Sequence, residues 1–399
     1  MGSDCYEECI VSISFWDSFK IHFFSFLVGS WVILKRCLRM LWNSKDFSVE
    51  SRDTPPACLI DSSFGQHSYM KLKGVKLHYV ESGSRHQPLL LLLHGFPDCW
   101  LGWRHQIQAF SKHFRIVALD LKGFGDSDKP AWRTSYRTDV ILSELHSFIE
   151  ALGVTRCTLI GHDLGALLGW YLIHRYPELV EKFVSISCPH PNIYWTELPR
   201  ASTFNSSWVN FIQLPYLPET EALQGDLSII NQCFQHLQKK KEDAPYVDAY
   251  KYSFSRKEDW TGPINYYRNL PFYRVSEESG MVQVPCLLVT GNKDHFINLE
   301  SMVKSTDYTD RFTVKIIDGA GHFPHQEMPE AVNKLLMNFL VVPESPPKVI
   351  KPQSGSGLMN RMFGAVSSTV KYGNQVVLDV VQRKTSDVVN GSAAKHLHS

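Results

Sequence analysis

The stretch from Cys157 to His174 constrains this chain more than any other. Cys157-Thr158-Leu159-Ile160 reads as a buried strand and Leu167 to His174 as a helix, with Gly161-His162-Asp163-Leu164-Gly165 between them. Small residues two positions either side of a central residue permit a strand-to-helix turn so tight that the middle side chain stands out above a sheet. Here that side chain is the carboxylate of Asp163, where such turns usually carry a serine hydroxyl. A carboxyl with an ordinary pKa of about 3.9 is ionised at neutral pH and needs no base to act as a nucleophile. Attack on an acyl carbon would give an anhydride, a poor route to ester hydrolysis. Attack on a saturated carbon bearing a leaving group, an epoxide C–O or a carbon–halogen bond, gives an alkyl ester. A base-activated water can then hydrolyse that ester at the Asp163 carbonyl. An ordinary loop aspartate is the bland alternative, and the remaining motifs weigh against it.

The surrounding pattern is strand, turn, strand, helix. Tyr69 to Leu72 and Val75 to Val80, joined around Lys73-Gly74, predict an antiparallel hairpin. Leu89–Leu93, Arg115–Leu119, Cys157–Ile160, Phe183–Ser187, Cys286–Thr290 and Phe312–Ile317 are continuous apolar runs separated by helical patterns. Runs buried on both faces indicate a mostly parallel central sheet with helices on both faces. Ligands in such sheets bind beyond the carboxyl ends of the strands, where each motif below falls. From Pro189 to about Gly280 the rhythm breaks. Connections of about 2–6 residues are usual in such folds, so this stretch predicts an inserted helical cap. Its aromatic content suits a water-excluding, apolar pocket, although core packing would use the same residues.

Four further motifs carry chemistry. His94-Gly95-Phe96-Pro97 ends one strand, so the Phe96 and Leu164 backbone N–H groups are the expected oxyanion hole. Gly291-Asn292-Lys293-Asp294 and Gly319-Ala320-Gly321-His322-Phe323 end later strands. The order nucleophile, acid, histidine assigns His322 to activating water and Asp294 to orienting His322, with Asp318 as a rival acid. In the cap, Gly262-Pro263-Ile264-Asn265-Tyr266-Tyr267-Arg268-Asn269 offers Tyr267 as proton donor to an epoxide oxygen, with Tyr266 as its packing neighbour. Gly123-Phe124-Gly125-Asp126-Ser127-Asp128 reads as a rigid loop, lacking the Gly-Lys-Ser/Thr of a phosphate cradle.

The ends of the chain have a different character. Phe15 to Trp42 is apolar and aromatic, and Ile21 to Leu34 contains no acidic or basic side chain. It is expected to be an N-terminal membrane anchor over residues 1–43, with a surface-lying helix and a soluble helix packed on the core as alternatives. Lys35, Arg36 and Arg39 after it, against Asp4, Glu7, Glu8 and Asp17 before, favour a cytosolic catalytic domain. Asn205-Ser206-Ser207 and Asn390-Gly391-Ser392 would accept glycans only in a lumenal domain. A linker over 44–66 precedes the first part of the core (67–188), the cap (189–280) and the second part of the core (281–342). A tail over 343–399 opens with Pro343-Glu344-Ser345-Pro346-Pro347. Its Leu358, Met362, Val366, Val370, Val377 and Val381 recur at near-helical spacing, so the expectation is a helix or a segment without fixed structure. A formal charge of +1 gives no reason to expect nucleic acid as a partner. Nine cysteines without Cys-x-x-Cys or Cys/His spacing read as reduced thiols, with Cys99 as packing and no metal site.

His94-Gly95-Phe96-Pro97, Gly161-His162-Asp163-Leu164-Gly165, Asn265-Tyr266-Tyr267-Arg268-Asn269 and Asp294 with His322 together resemble the epoxide hydrolases of the α/β-hydrolase superfamily. The membrane-anchored animal branch is the nearest, over roughly Tyr69 to Leu340. The resemblance implies an α/β-hydrolase fold, nucleophile Asp163, base His322, acid Asp294, proton donor Tyr267, no cofactor, and lipid epoxides as substrates. It also implies a single-pass protein of the endoplasmic reticulum. Trp100, Trp208, Tyr216 and Phe323 are assigned to the substrate pocket. Two departures stand out. The family usually has Trp after the nucleophile, where this chain has Leu164; and its first cap tyrosine falls near Trp208, leaving Tyr216 or Tyr194 to serve. A dehalogenase using the same aspartate, or a catalytically weak tethered interaction protein on this fold, are the alternatives those departures raise.

Overall fold

In the computed structural model, residues 9–42, 50–197, 208–239, 241–341, 366–372 and 375–381 are described. Both glycosylation sequons, Leu358 and Met362 lie outside them. The apolar runs become strands: β1 (Ile10–Ser12), β2 (Gln66–Leu72), β3 (Val75–Ser82), β4 (Leu89–Leu93), β5 (Arg115–Leu119) and β6 (Cys157–His162). Then come β7 (Val180–Ile186), β8 (Tyr273–Val275), β9 (Cys286–Gly291), β10 (Phe312–Ile317), β11 (Val366–Tyr372) and β12 (Gln375–Val381). The main sheet has the order β11-β12-β10-β9-β7-β6-β4-β5-β3-β2, with β6 near its middle. From β5 to β10 all neighbours pair in parallel, whereas β2 and β3 form the expected antiparallel hairpin. Every residue of β4, β5 and β6 is buried, which is why these strands are near-continuous apolar runs instead of alternating.

The helices are α1 (Phe15–Trp42), α2 (Arg104–Phe110), α3 (Thr138–Ala151), α4 (Leu164–Arg175) and, after the cap, α11 (Leu299–Lys304), α12 (Pro324–Glu327) and α13 (Pro329–Val341). The cap fills the connection from β7 to β9 with α5 (Pro191–Thr196), α6 (Trp208–Ile212), α7 (Leu217–Ala222), α8 (Gln224–Cys233), α9 (Ala244–Ser253) and α10 (Lys257–Asn269). Arg268 ties its helices together. The guanidinium donates to Glu219 Oε1 at 2.7 Å, to the Ile212 carbonyl at 2.9 Å and to Asn265 Oδ1 at 3.1 Å. The cap is fixed to the core by Lys129–Asp259 at 2.7 Å and by the Tyr266 hydroxyl on the Lys122 carbonyl at 3.0 Å.

Among the described residues α1 is the one helix long and apolar enough to cross a membrane. It lies against α6 over one side and leaves the other side exposed. The tail differs from the expected helix. β11 and β12 pair with each other and β12 with β10, all antiparallel. The reason is chemical: Val366, Thr369, Val370, Val376, Val377, Val380 and Val381 are β-branched, and Gly373-Asn374 is a two-residue hairpin sequence. β10 would otherwise be an unpaired edge.

Candidate active site

The turn between β6 and α4 behaves as its composition requires. Asp163 sits at φ 45°, ψ −112°, a strained conformation for a residue with a side chain, and its N–H donates to the Ile186 carbonyl at 3.0 Å. A Cβ on Gly161 would come within 2.5 Å of the Ala166 backbone, and one on Gly165 within 2.2 Å of the Leu93 carbonyl. Both flanking positions therefore admit only glycine, and the strain is held by close packing on either side. The Asp163 side chain emerges at the carboxyl ends of β6 and β4, buried from bulk solvent.

Four sequence-predicted groups converge on it. Phe96 N–H donates to Asp163 Oδ2 at 3.0 Å, and the Leu164 N–H also bonds the carboxylate. The Tyr267 hydroxyl donates to the same Oδ2 at 3.3 Å. On the other side His322 Nε2 is 3.8 Å from Asp163 Oδ1, while His322 Nδ1 is 2.9 Å from Asp294 Oδ2. Asp294 Oδ1 is held by the Phe296 and Ile297 N–H groups at 2.8 and 3.0 Å, so both its oxygens are committed. The rival Asp318 is exposed and bonds Asn292 instead. The Phe296 ring, tilted at 4.9 Å, and the Phe323 ring, edge-on at 5.3 Å, bracket the imidazole.

The electrostatics follow from burial and pairing. Burial raises the Asp163 carboxyl above its ordinary pKa, partly offset by the His322 charge and then by the Phe96, Leu164 and Tyr267 hydrogen bonds. Burial would lower His322, but the charge and hydrogen bond of Asp294, and then the charge of Asp163, outweigh it and raise the imidazole to about 9. Burial first, then the neighbouring Asp163 charge, holds the Tyr267 phenol well above its ordinary pKa, so it keeps its proton at neutral pH.

The remaining assignments divide. Trp208 packs edge-on against Tyr267 with ring centroids 5.0 Å apart, and Phe323 lies beside His322 and His162, so both border the site. Trp100 does not: it is buried between Phe64 and His67, and its backbone N–H donates to Asp120 Oδ1 at 2.8 Å. Its bulk and its position in the turn after β4 put it in the core beneath β2 and β3. Tyr216 is 70% exposed in a left-handed conformation, with the Lys257 amine over its ring, and is not gathered to the carboxylate. Tyr194 is buried, and after burial the Asp163 charge contributes to holding its hydroxyl proton. Sequence reasoning passed over the aromatic wall formed where the Phe96 ring meets Trp260 (5.9 Å), Phe254 (6.5 Å) and Tyr267 (5.5 Å). The only prior signal was the general aromatic richness of the cap.

Folding also creates one His/Asp grouping invisible in the linear spacing. Donor atoms of Asp98, His162 and His325, all buried, lie within 4.8 Å of one another. His162 Nε2 bonds the His322 carbonyl at 2.9 Å, while His162 Nδ1 and both His325 nitrogens have no hydrogen-bond partner among the described residues. Arg104 already supplies cationic charge here: it donates to Gln326 Oε1 at 2.9 Å, and Gln326 Nε2 donates to Asp98 Oδ2 at 3.1 Å. Burial pushes the Asp98 carboxyl up to about 7. The cluster is a polar underside to the His322 loop.

Comparison with known proteins agrees with this geometry. Residues 88–329 match the family model of the alpha/beta hydrolase fold. Over 322 residues the chain is 37% identical to epoxide hydrolase 4 of Homo sapiens, covering 76% of this chain and 88% of that protein. Over 308 residues it is 37% identical to epoxide hydrolase 3 of Xenopus tropicalis, covering 72% and 82%. Among solved structures, a Bacillus megaterium epoxide hydrolase bound to an inhibitor is 32% identical, with a TM-score of 0.59 over 68% of this chain and 99% of that one. A mutant of the same enzyme, holding its product (R)-3-[1]naphthyloxy-propane-1,2-diol, gives a TM-score of 0.60 at 31% identity over the same shares.

Proposed function

This chain belongs to the epoxide hydrolases of the α/β-hydrolase family, and from that premise we propose that it opens lipid epoxides through an alkyl ester on Asp163 and releases vicinal diols. The observation that carries the reading is the division of the Asp163 carboxylate: one oxygen faces an imidazole at 3.8 Å, and the other takes an N–H and a phenol at 3.0 and 3.3 Å.

An Asp163 oxygen attacks an epoxide carbon, the C–O bond breaks, and Tyr267 protonates the departing alkoxide. The His322 imidazolium returns a proton to the Tyr267 phenolate and becomes a neutral base. A water molecule, deprotonated by His322, then adds to the ester carbonyl of Asp163. The oxyanion formed there is held by the Phe96 and Leu164 N–H groups, a pair whose members are typically worth about 10²–10³ in rate each. Collapse expels the diol and restores the carboxylate and the imidazolium. Asp294 positions His322 and balances its charge. Every proton in this cycle is carried by a side chain of this chain or by water. Halide chemistry would want a donor beside the nucleophile, and Leu164 supplies an apolar side chain there.

The substrate class follows from the walls. Phe96, Trp208, Phe254, Trp260 and Phe323 favour an apolar chain over a hydrophilic one, which supports fatty-acid epoxides. α1 supports membrane attachment, and we take the endoplasmic reticulum and its cytosolic side as the location of the catalytic domain. The test is a single turnover of a fatty-acid epoxide in heavy-oxygen water, followed by mass spectrometry of the peptide bearing Asp163. Label enters the Asp163 carboxyl if the ester is hydrolysed at its carbonyl. Label found only in the diol would eliminate the covalent route.

A further inference from the structure

A helix that crosses a bilayer leaves its two ends on opposite sides, and α1 has both ends fastened to the same body. Before the helix, β1 pairs with β8, Ile10 opposite Val275 and Ser12 opposite Tyr273, and the Ile13 N–H donates to the Phe272 carbonyl at 2.9 Å. Late in the helix, Arg36 donates to Glu221 at 2.7 Å and to Thr220 at 3.1 Å, both on cap helix α7. At 1.5 Å per residue, Ile13 and Arg36 are about 35 Å apart along the axis, as long as the roughly 30 Å hydrocarbon core is thick. Two described residues beyond the helix also touch the cap, Arg52 on Asp226 at 2.8 Å and Cys58 on the Pro245 carbonyl at 3.5 Å.

The two sides of α1 are the reverse of a soluble helix. Its small residues face inward: Ser25 and Gly29 are buried, a Cβ on Gly29 would lie 2.7 Å from Leu214, and the Ser25 hydroxyl is satisfied by the Ile21 carbonyl at 2.6 Å. Its bulky residues face outward. Of the nineteen exposed large apolar side chains among the described residues, eleven lie on α1, including Phe15 (76%), Trp16 (68%), Phe26 (68%) and Trp31 (57%). Isolated exposed apolar side chains are ordinary, but a continuous aromatic face of this kind marks a contact surface. Lysines border it, with Lys35 over the Trp31 ring at 4.9 Å and Lys20 paired to Asp17 at 3.0 Å.

We infer that α1 lies in the plane of a lipid bilayer surface, clamped to the cap along its length, in place of the single crossing expected from its sequence. Its aromatic face enters the acyl boundary, and Lys20 and Lys35 extend to the headgroups. The inward face meets α6, whose Trp208 touches the proton donor Tyr267, so the bilayer surface is one helix layer from the reacting atoms. This rests on the reading that α1 meets a membrane and is independent of the reaction.

The test uses the full chain, tagged at Met1 and at Ser399 and translated into microsomes that are then treated with protease from outside. An in-plane helix gives both tags the same fate; digestion of one tag with protection of the other would overturn the inference in favour of a crossing. In parallel, the chain floats with phosphatidylcholine vesicles, and simultaneous replacement of Trp16, Phe19, Phe23 and Trp31 by Ser moves it to the unbound fraction with hydrolysis of a water-soluble epoxide unchanged. A parent chain that fails to float refutes membrane contact itself, and a quadruple variant that still floats refutes the aromatic face as its site.

Discussion

Replacing Tyr267 with Phe tests the proposed chemistry at the residue left to supply the proton when Trp208 stands near the other cap position. The substitution removes one oxygen and leaves the ring that packs on Trp208 and Phe96. General-acid catalysis is typically worth about 10²–10⁴ in rate, or roughly 2.7–5.4 kcal/mol of barrier at 1.36 kcal/mol per tenfold. The structure argues for the upper half of that range. Trp208 faces Tyr267 but has no acidic proton, and the Tyr266 hydroxyl is engaged 3.0 Å from the Lys122 carbonyl. Tyr194 is another phenol close enough to feel the Asp163 charge. Loss of the Tyr267 hydrogen bond also removes one of the interactions that offset the burial of Asp163, so the acid limb of the pH profile moves to higher pH. The assay is quenched single-turnover kinetics, with ester followed by intact mass and diol by chromatography. Ester formation is expected to slow about a thousandfold. Trp208→Tyr supplies a second phenol, speeds ester formation in the parent and shrinks the effect of Tyr267→Phe. If Tyr267→Phe keeps more than about a tenth of the parent rate, where general acids typically give at least 10², the donor is another residue and the cap has been misread.

Three further outcomes follow from the same geometry. His322→Gln accumulates one equivalent of Asp163 ester per chain while diol release falls by about 10²–10⁴, read by intact mass against product formation. His322 is raised from 6.5 to about 9 in the folded protein, so folding gains from its protonation. That gain, on the order of 3 kcal/mol at 1.36 kcal/mol per unit, is complete below about pH 6.5 and lost as pH rises through about 9. Urea unfolding from pH 6 to 10 reads the loss, and Asp294→Asn flattens it. Arg268→Ala strands the buried Glu219, whose side chain is 3% exposed, and is expected to destabilise the cap by about 3–5 kcal/mol, seen as faster proteolysis within 191–269.

What the sequence made legible was the chemistry that depends on backbone turns. Asp163, Phe96, Asp294 and His322 each follow the end of an apolar run, and a parallel sheet brings the ends of its strands to one edge. Tyr267 was legible because ring opening demands an acid and the cap segment Asn265-Tyr266-Tyr267-Arg268-Asn269 offers tyrosines to supply one. Trp100 and Tyr216 could not be sorted from true wall residues, since an aromatic side chain serves a core, a surface or a pocket equally well until its neighbours are known. The same limit hid Phe254 and Trp260. The β11–β12 hairpin is hidden in the sequence because valines at spacings of four and eleven satisfy a helical period, although β-branching and Gly373-Asn374 are the stronger local signals. α1 was legible as apolar, but the direction of its apolar face depends on contacts to residues distant in the chain, such as Glu221, 185 positions from Arg36.

The raised pKa of His322 looks at first like an obstacle, since a histidine protonated to about 9 cannot accept a proton from water at neutral pH. The obstacle disappears when charge is followed through the cycle. At rest two carboxylates, Asp163 and Asp294, share one imidazolium, and the pair of negative charges is what holds the proton there. In the proposed cycle, ester formation neutralises Asp163 and moves its charge to the Tyr267 phenolate, whose oxygen began 3.3 Å from Asp163 Oδ2. One of the charges that raised His322 is then gone, and a strong base within the same buried site needs a proton. His322 therefore becomes neutral when the ester appears, and only then. This timing leaves Asp294 to orient the imidazole in both states, through the contact of its Oδ2 with His322 Nδ1 at 2.9 Å. The Leu164 and Trp208 departures leave this circuit intact, because Leu164 contributes its backbone N–H and Trp208 contributes only shape.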